Sequence, residues 1–377
     1  MTPSVLVPAP RLVSLDVFRG LTVMMMLLVN NPGDWGHIYP PLEHAEWNGC
    51  TPTDLVFPFF LFIVGVSLAY ALAGAKAAGA PAGLVLAKVA RRAATLFALG
   101  VLTSLYPHFG FGTVRIMGVL QRIALVYFGA SLVYTTTGWR TQAALLLLLL
   151  LGYAALLQLV PVPGTGLANL APETNLGAWL DRTLLTEPHL WKTSRTWDPE
   201  GLLGTLPALG TGLLGTLAGQ WLRTVRPPAA KLAGLAAAGA LAVGAGLLWS
   251  QWFPLNKALW TSSFVLFTGG LATLLLALLY WLCDVRSVRW WTAVPAAAGV
   301  NAIAVFFGSA ILARTLGLLK LAGPRGPVGG QEWLYQGYIA PHFLDPRNAS
   351  LAGAVVCLLV WLVALVLVRR QGWVWKV

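Results

Sequence analysis

The groups most able to do chemistry crowd one stretch of this 377-residue chain. Asn30, Asn31, Asp34, His37, Glu43, His44, Trp47, Asn48 and Asp54 fall between two apolar runs or at their edges. His44 stands in PLEHAEWNG among Glu43, Glu46, Trp47 and Asn48, shortly before the second run. Histidine is the side chain that takes and gives a proton near neutral pH, so the cluster is a candidate for acid–base catalysis. The plainer reading is a solvated loop histidine. His37 has no comparable cluster. Asn30 and Asn31 precede Pro32-Gly33 and read either as a helix cap or as an amide that orients a substrate. Asp54, in TPTD, suits the cap and first-turn dipole of the second run.

Charged groups inside the apolar runs form a second set. Asp16 and Arg19 are three apart and share a helix face. They read as an ion pair or a snorkelling arginine, with Arg19 also a candidate anion contact. From Arg19 to Asn30 the helix would run roughly 16 Å, half the thickness of a membrane or more. RIMGVLQRIALVYF places Gln121 and Arg122 within a run, where an arginine must face the bundle interior or water. FPLNKALWTSSF brings Asn256, Lys257, Trp260 and Ser262 to the start of another run, and Asn301 lies inside a later one. Ser262 and Asn301 read first as hydrogen-bonding glue between helices.

The elements that must position these groups are membrane helices. The chain is 57% hydrophobic and only 10% charged, with a mean hydropathy of +0.73. Soluble domains average about 25% charged residues, so a soluble enzyme is excluded. Ten runs approach the length of a membrane span: 13–31, 54–75, 89–106, 116–136, 141–161, 201–222, 232–252, 260–282, 293–313 and 350–368. The net charge of +12 would suit nucleic acid, but the basic residues form short clusters between runs, as in RTVRPPAAK and DVRSVRWW. Topology explains them, with the basic segments and both termini cytoplasmic. Trp139, Trp290, Trp291, Trp373 and Trp375 then mark the inner edge. The His44 loop and segments 162–200 and 314–349 fall outside. The long outer loops mix tryptophans with polar residues, which suits a sugar. Cys50, Cys283 and Cys357 lie far apart and give neither a disulfide framework nor a metal site. The first ten residues do not read as a cleaved signal peptide. There is no P-loop, G-x-S-x-G, H-E-x-x-H or dinucleotide fingerprint. No internal repeat is evident.

The expected architecture is an all-α, polytopic bundle of about ten transmembrane helices forming one domain over 1–377. Residues 12–161 would hold the first five helices and the His44 motif, 162–200 an outer loop, and 201–370 the last five helices.

The run RLVSLDVFRG…VN…LEHAEWNG, continuing into DLVFPFFLFIVGVS, resembles the transmembrane acyltransferase family of heparan-α-glucosaminide N-acetyltransferase. RIMGVLQRIALVYF, TWDPEGLLGTLPAL, FPLNKALWTSSFVL and GVNAIAVF follow in the family's order, so the resemblance covers residues 11–310. It looks like a short, bacterial-type member without the extra lumenal domain. The resemblance implies a multi-pass enzyme of the bacterial inner membrane that carries acetyl from cytosolic acetyl-CoA to an amine or hydroxyl of a glycan outside. It implies that His44 is catalytic, as general base or acyl carrier, and that Asn30 assists. Arg19, Asp16, Arg122 and Gln121 are the expected CoA-binding residues. Trp47, Asn48, Asp54, Asn256, Lys257 and Trp260 are the expected acceptor-binding residues. No metal and no nucleic acid is expected, and a homodimer is left open beside the monomer. Two other readings stay open. A carrier for a glycan or small acid would not bind acetyl-CoA, and an assembly protein would tolerate loss of both Asn30 and His44.

Overall fold

The computed structural model describes residues 12–323 and 326–371. Trp373 and Trp375 lie outside the described residues, as do the chain termini whose side was expected to be cytoplasmic. The helices are α1 (Val13–Asn30), α2 (Val56–Ala71), α3 (Ala73–Ala77), α4 (Ala82–Leu105), α5 (Val119–Thr136), α6 (Trp139–Leu159) and α7 (Leu176–Leu184). After a long loop come α8 (Thr205–Leu222), α9 (Pro228–Trp249), α10 (Ser262–Leu279), α11 (Ala293–Val300) and α12 (Ala302–Leu318). A two-stranded antiparallel hairpin, β1 (Lys320–Gly323) and β2 (Gly326–Gly329), leads to α13 (Gly330–Tyr338) and α14 (Pro346–Arg370). The segments expected to lie outside are therefore partly ordered: α7 lies within 162–200, and the hairpin and α13 lie within 314–349.

Each of the ten expected runs is helical, and the chain is a multi-pass, all-α membrane protein. Among the described residues, seven helices are long and apolar enough to cross a membrane, or eight if α11 and α12 count as one span. The other two runs are α4, which carries Lys88, Arg91 and Arg92, and α8, whose glycines and threonines lower its apolarity. The run at 293–313 is not one straight helix. It breaks at Asn301 and bends by 75°. Such a break is tolerated at membrane depth only where protein or a cavity takes up the freed backbone groups, and Asn301 is 4% exposed.

Close packing sets the central wall. Gly65 of α2 meets the Gly212 carbonyl of α8, while Gly215 and Gly219 of α8 meet the Phe62 and Val66 backbone of α2. Small residues let membrane helices approach to backbone contact. In the same way Gly20 of α1 lies on the Pro295 carbonyl, and Gly299 lies on that of Asp16. A side chain at Gly215 would overlap the Phe62 carbonyl, which cannot move without shifting α2. Gly215→Val is expected to cost roughly 1–3 kcal/mol, as overpacked cores do. A lowered thermal midpoint in detergent checks it, and an unchanged midpoint would contradict this packing.

Helix α1 has no side chain of its own to cap its first turn. The carboxylate of Asp284, in the π-helical turn Tyr280–Val285 that follows α10, accepts from Val13 N and Ser14 N, both at 3.0 Å. An acid there satisfies orphan donors and the helix dipole together.

Candidate active site

Helices α1 and α2 run antiparallel, so Arg19 lies beside Ser67 at one end and Asn30 near Thr53 at the other. The Arg19 guanidinium donates to Ser67 Oγ at 2.6 Å and lies 3.6 Å from Asp16. A cavity of about 430 Å³ follows this pair of helices. Arg19, Ser67 and Arg92 line one end, and Asn30, His44, Glu200 and Lys257 line the other. Apolar residues such as Phe57, Phe60, Ile123 and Phe306 line the stretch between. The break at Asn301 is part of its wall, through Gly299, Val300 and Ala302.

The His44 loop is tied down along its length. Gly33 N donates to the Ser350 carbonyl at 3.0 Å, and the Tyr39 hydroxyl donates to Asn348 at 2.7 Å. Thr51 and Asp54 form a capping box on the turn that opens α2. Asp54 Oδ2 accepts from Thr51 N at 3.0 Å, Ala45 N at 3.1 Å and Thr51 Oγ1 at 3.1 Å. The other oxygen, Oδ1, faces His44 Nδ1 at 2.7 Å. A carboxylate surrounded by donors can only accept, so Nδ1 carries the proton and Nε2 bears the lone pair. Asp54 is 1% exposed, whereas the His44 side chain is 53% exposed into the open cavity.

Lys257 completes the cluster. Its Nζ lies 3.0 Å from His44 Nδ1, 3.2 Å from Nε2 and 3.4 Å from Asp54 Oδ1. Its loop is fixed by Asn256, which is fully buried. The Asn256 amide donates to Asn48 Oδ1 at 3.1 Å, and its oxygen accepts from Leu259 N at 2.8 Å. Asn48 and Asn256 thus join the two loops that bring His44 and Lys257 together. Burial pushes the Lys257 ammonium below its ordinary value, against the pull of Asp54 and Glu200.

Glu200 was not singled out from sequence. It ends the long loop 162–200 shortly before α8, and Arg115 Nη2 donates to it at 2.5 Å. The same guanidinium grips Asp198 through Nε at 2.8 Å and Nη2 at 2.5 Å. Burial works to raise Glu200, but Arg115, Arg122 and Lys257 hold it below the usual carboxylate value. Arg92 was missed too, because the Arg91–Arg92 pair reads as loop charge. An acid directly before an apolar run, in D-P-E, was the available signal for Glu200.

The other expected site residues lie off the cavity. Arg122 is fully buried and donates to the Pro199 carbonyl at 3.0 Å and the Gly201 carbonyl at 2.9 Å. It stacks 5.3 Å over the Trp260 ring. Arg122 therefore holds the segment that presents Glu200, and Trp260 supports it from beneath. Gln121 packs on Gly100 and Gly118. Asp16 pairs with Arg19. Trp47 donates to the Leu170 carbonyl at 3.0 Å and meets Trp197 edge-on at 5.1 Å, fastening the loop 162–200 to the His44 loop.

Under that loop Asp181 of α7 is 2% exposed and accepts from Leu202 N at 2.9 Å. Burial raises its carboxyl from 3.8 to about 7. The folded protein holds a proton there that the unfolded chain releases near 3.8. This group's contribution to stability is therefore present at low pH and lost as pH rises toward 7, by at most about 1.4 kcal/mol per pH unit. Asp181→Asn should remove that loss. The gap between the variant and wild-type thermal midpoints is expected to widen from pH 4 to pH 7, and a constant gap would refute it.

The family model for the heparan-α-glucosaminide N-acetyltransferase catalytic region matches residues 11–246. The chain is 30% identical over 356 residues to the heparan-α-glucosaminide N-acetyltransferase of Homo sapiens, covering 79% of this chain and 52% of that protein. The Mus musculus protein of the same name is 30% identical over 360 residues, covering 81% of this chain and 54% of that protein. The chain thus spans about half the length of the curated relatives it matches.

Proposed function

The chain belongs to the heparan-α-glucosaminide N-acetyltransferase catalytic family, and on that premise we propose that it transfers acetyl from cytosolic acetyl-CoA to a glycan amine or hydroxyl across a bacterial inner membrane. The observation that carries the reading is a single cavity joining two arginines to a histidine–aspartate pair. The CoA phosphates would meet Arg19 and Arg92, charges suited to phosphate. The pantetheine arm is an amphipathic chain of about the length of α1 between Arg19 and Asn30, roughly 16 Å. It would lie along the apolar stretch and bring the thioester to Asn30 and His44.

Neutral His44 takes the acceptor's proton at Nε2 as the nucleophile attacks the thioester carbonyl. Asp54 holds the ring in that tautomer and stabilises the imidazolium that forms. Asn30, whose amide makes no hydrogen bond among the described residues, donates to the developing oxyanion. The thiolate departs and takes its proton from His44. Absence of a CoA burst without acceptor would favour this direct route over an acetyl-histidine.

Proteoliposomes loaded with acetyl-CoA and given glucosamine outside test the proposal. The expected result is N-acetylglucosamine outside and CoA inside. Glucosamine uptake with no acetyl transfer, and no thermal stabilisation by CoA, would make the protein a carrier.

A further inference from the structure

The chemistry above leaves Lys257 without a role, although its ammonium lies 3.0 Å from the base. An ammonium has donors only, and His44 Nδ1 is already a donor to Asp54. Lys257 Nζ is nearly equidistant from Nδ1 and Nε2, at 3.0 and 3.2 Å, so it packs against the ring, off the outward axis of either nitrogen. The Nε2 lone pair that the acceptor must use stays open beside Lys257. Its other neighbour is Asp54 Oδ1 at 3.4 Å, and Glu200 lines the same end of the cavity. Those two carboxylates keep a partly buried ammonium beside the reacting centre when the acceptor takes its place on Nε2.

Resting on the acetyltransferase reading, we propose that Lys257 is the electrophile of the reaction: from its place beside the His44 ring it donates to the thioester oxygen as that oxygen becomes an oxyanion. The acceptor nitrogen bonds to the carbonyl carbon, the C=O π pair moves to oxygen, and Nε2 takes the nitrogen's proton. On collapse the C–S bond breaks with its pair on sulfur, which receives the proton from His44. Lys257 gives up no proton, so the products are the amide and CoA and nothing else is consumed. Asn30 supplies a neutral donor at the same end. A preorganised positive charge beside the reacting carbonyl stabilises the intermediate more than the incoming thioester, so it acts on kcat.

The competing role for Lys257 is a counter-ion that only holds Asp54 in place. Kinetics of glucosamine acetylation separate the two. Lys257→Met is expected to lose about 10²–10³-fold in kcat, the scale of one oxyanion donor, with KM for both substrates within a few-fold of wild type. In Lys257→Ala, added alkylammonium ions should restore acetylated glucosamine, and the rescue should grow with the acidity of the ammonium ion. Thermal stabilisation by CoA reports folding of each variant, and Lys257→Gln replaces Lys257→Ala in the series if the alanine protein lacks it. Wild-type kcat in Lys257→Met, or a rescue indifferent to acidity, overturns the inference and leaves the acetyltransferase reading intact. A wild-type protein that acetylates nothing from acetyl-CoA overturns that reading and this inference with it.

Discussion

Replacing His44 by alanine is expected to lower kcat/KM by roughly 10²–10⁴-fold, the range of a positioned general base. The side chain is half exposed into the cavity, and its one strong bond, to Asp54, is local. Its loss should therefore leave the bundle folded and CoA binding intact. The decisive comparison is between acetyl transfer and thermal stabilisation by CoA. Loss of the first with retention of the second is the expected pair. Wild-type acetylation by a folded His44→Ala protein would remove histidine from the mechanism.

Asp54→Asn should be as severe and fail differently. The amide keeps the size and one acceptor oxygen but turns the other group into a donor. If the oxygen stays on Thr51 N and Ala45 N, the NH₂ faces His44 Nδ1 and turns the ring to the tautomer with its proton on Nε2. The base then has its lone pair on the wrong side, a change that costs about 10⁴-fold in a Ser-His-Asp triad. If the amide turns the other way, its NH₂ faces two backbone donors, at a cost of about 1–3 kcal/mol for groups left unpaired. Lys257 also loses its carboxylate partner at 3.4 Å. The expected outcome is therefore low activity together with a lowered thermal midpoint, whereas His44→Ala lowers activity alone. A fully active Asp54→Asn protein would show that the carboxylate does not orient the base.

Asp54 also shows how far the sequence could be read. TPTD predicts a capping acid, and the capping box is there. A cap uses one carboxylate oxygen, and sequence rules say nothing about the second. Only the fold of the loop from Glu43 to Thr51 turns that oxygen toward His44. The helices themselves were legible because apolar runs of near-membrane length admit few alternatives. The break at Asn301 was not, since a single asparagine in a run fits a hydrogen bond between helices as well as a kink. Arg122 followed the rule that a buried arginine must find polar partners. Those partners are the carbonyls of Pro199 and Gly201, nearly eighty residues away, so spacing could not reveal that it braces the loop bearing Glu200. Lys257 and His44 are separated by 213 residues and meet only through the Asn48–Asn256 bond and its neighbours.

The ties on the first helix bear on how such a protein is made. Asp284 holds the start of α1 from 271 residues away, and Ser350 holds the loop after it across 316 residues. Lys257, which reaches His44, precedes both in the chain. The segment bearing His44 leaves the ribosome first, yet its fastenings emerge one by one as the last helices are synthesised. A nascent chain halted at the end of α9 would contain His44 and Asp54 but neither Lys257 nor the cap on α1. The end-to-end closure thus makes the site a late product of biosynthesis, competent only when the final span has joined the bundle.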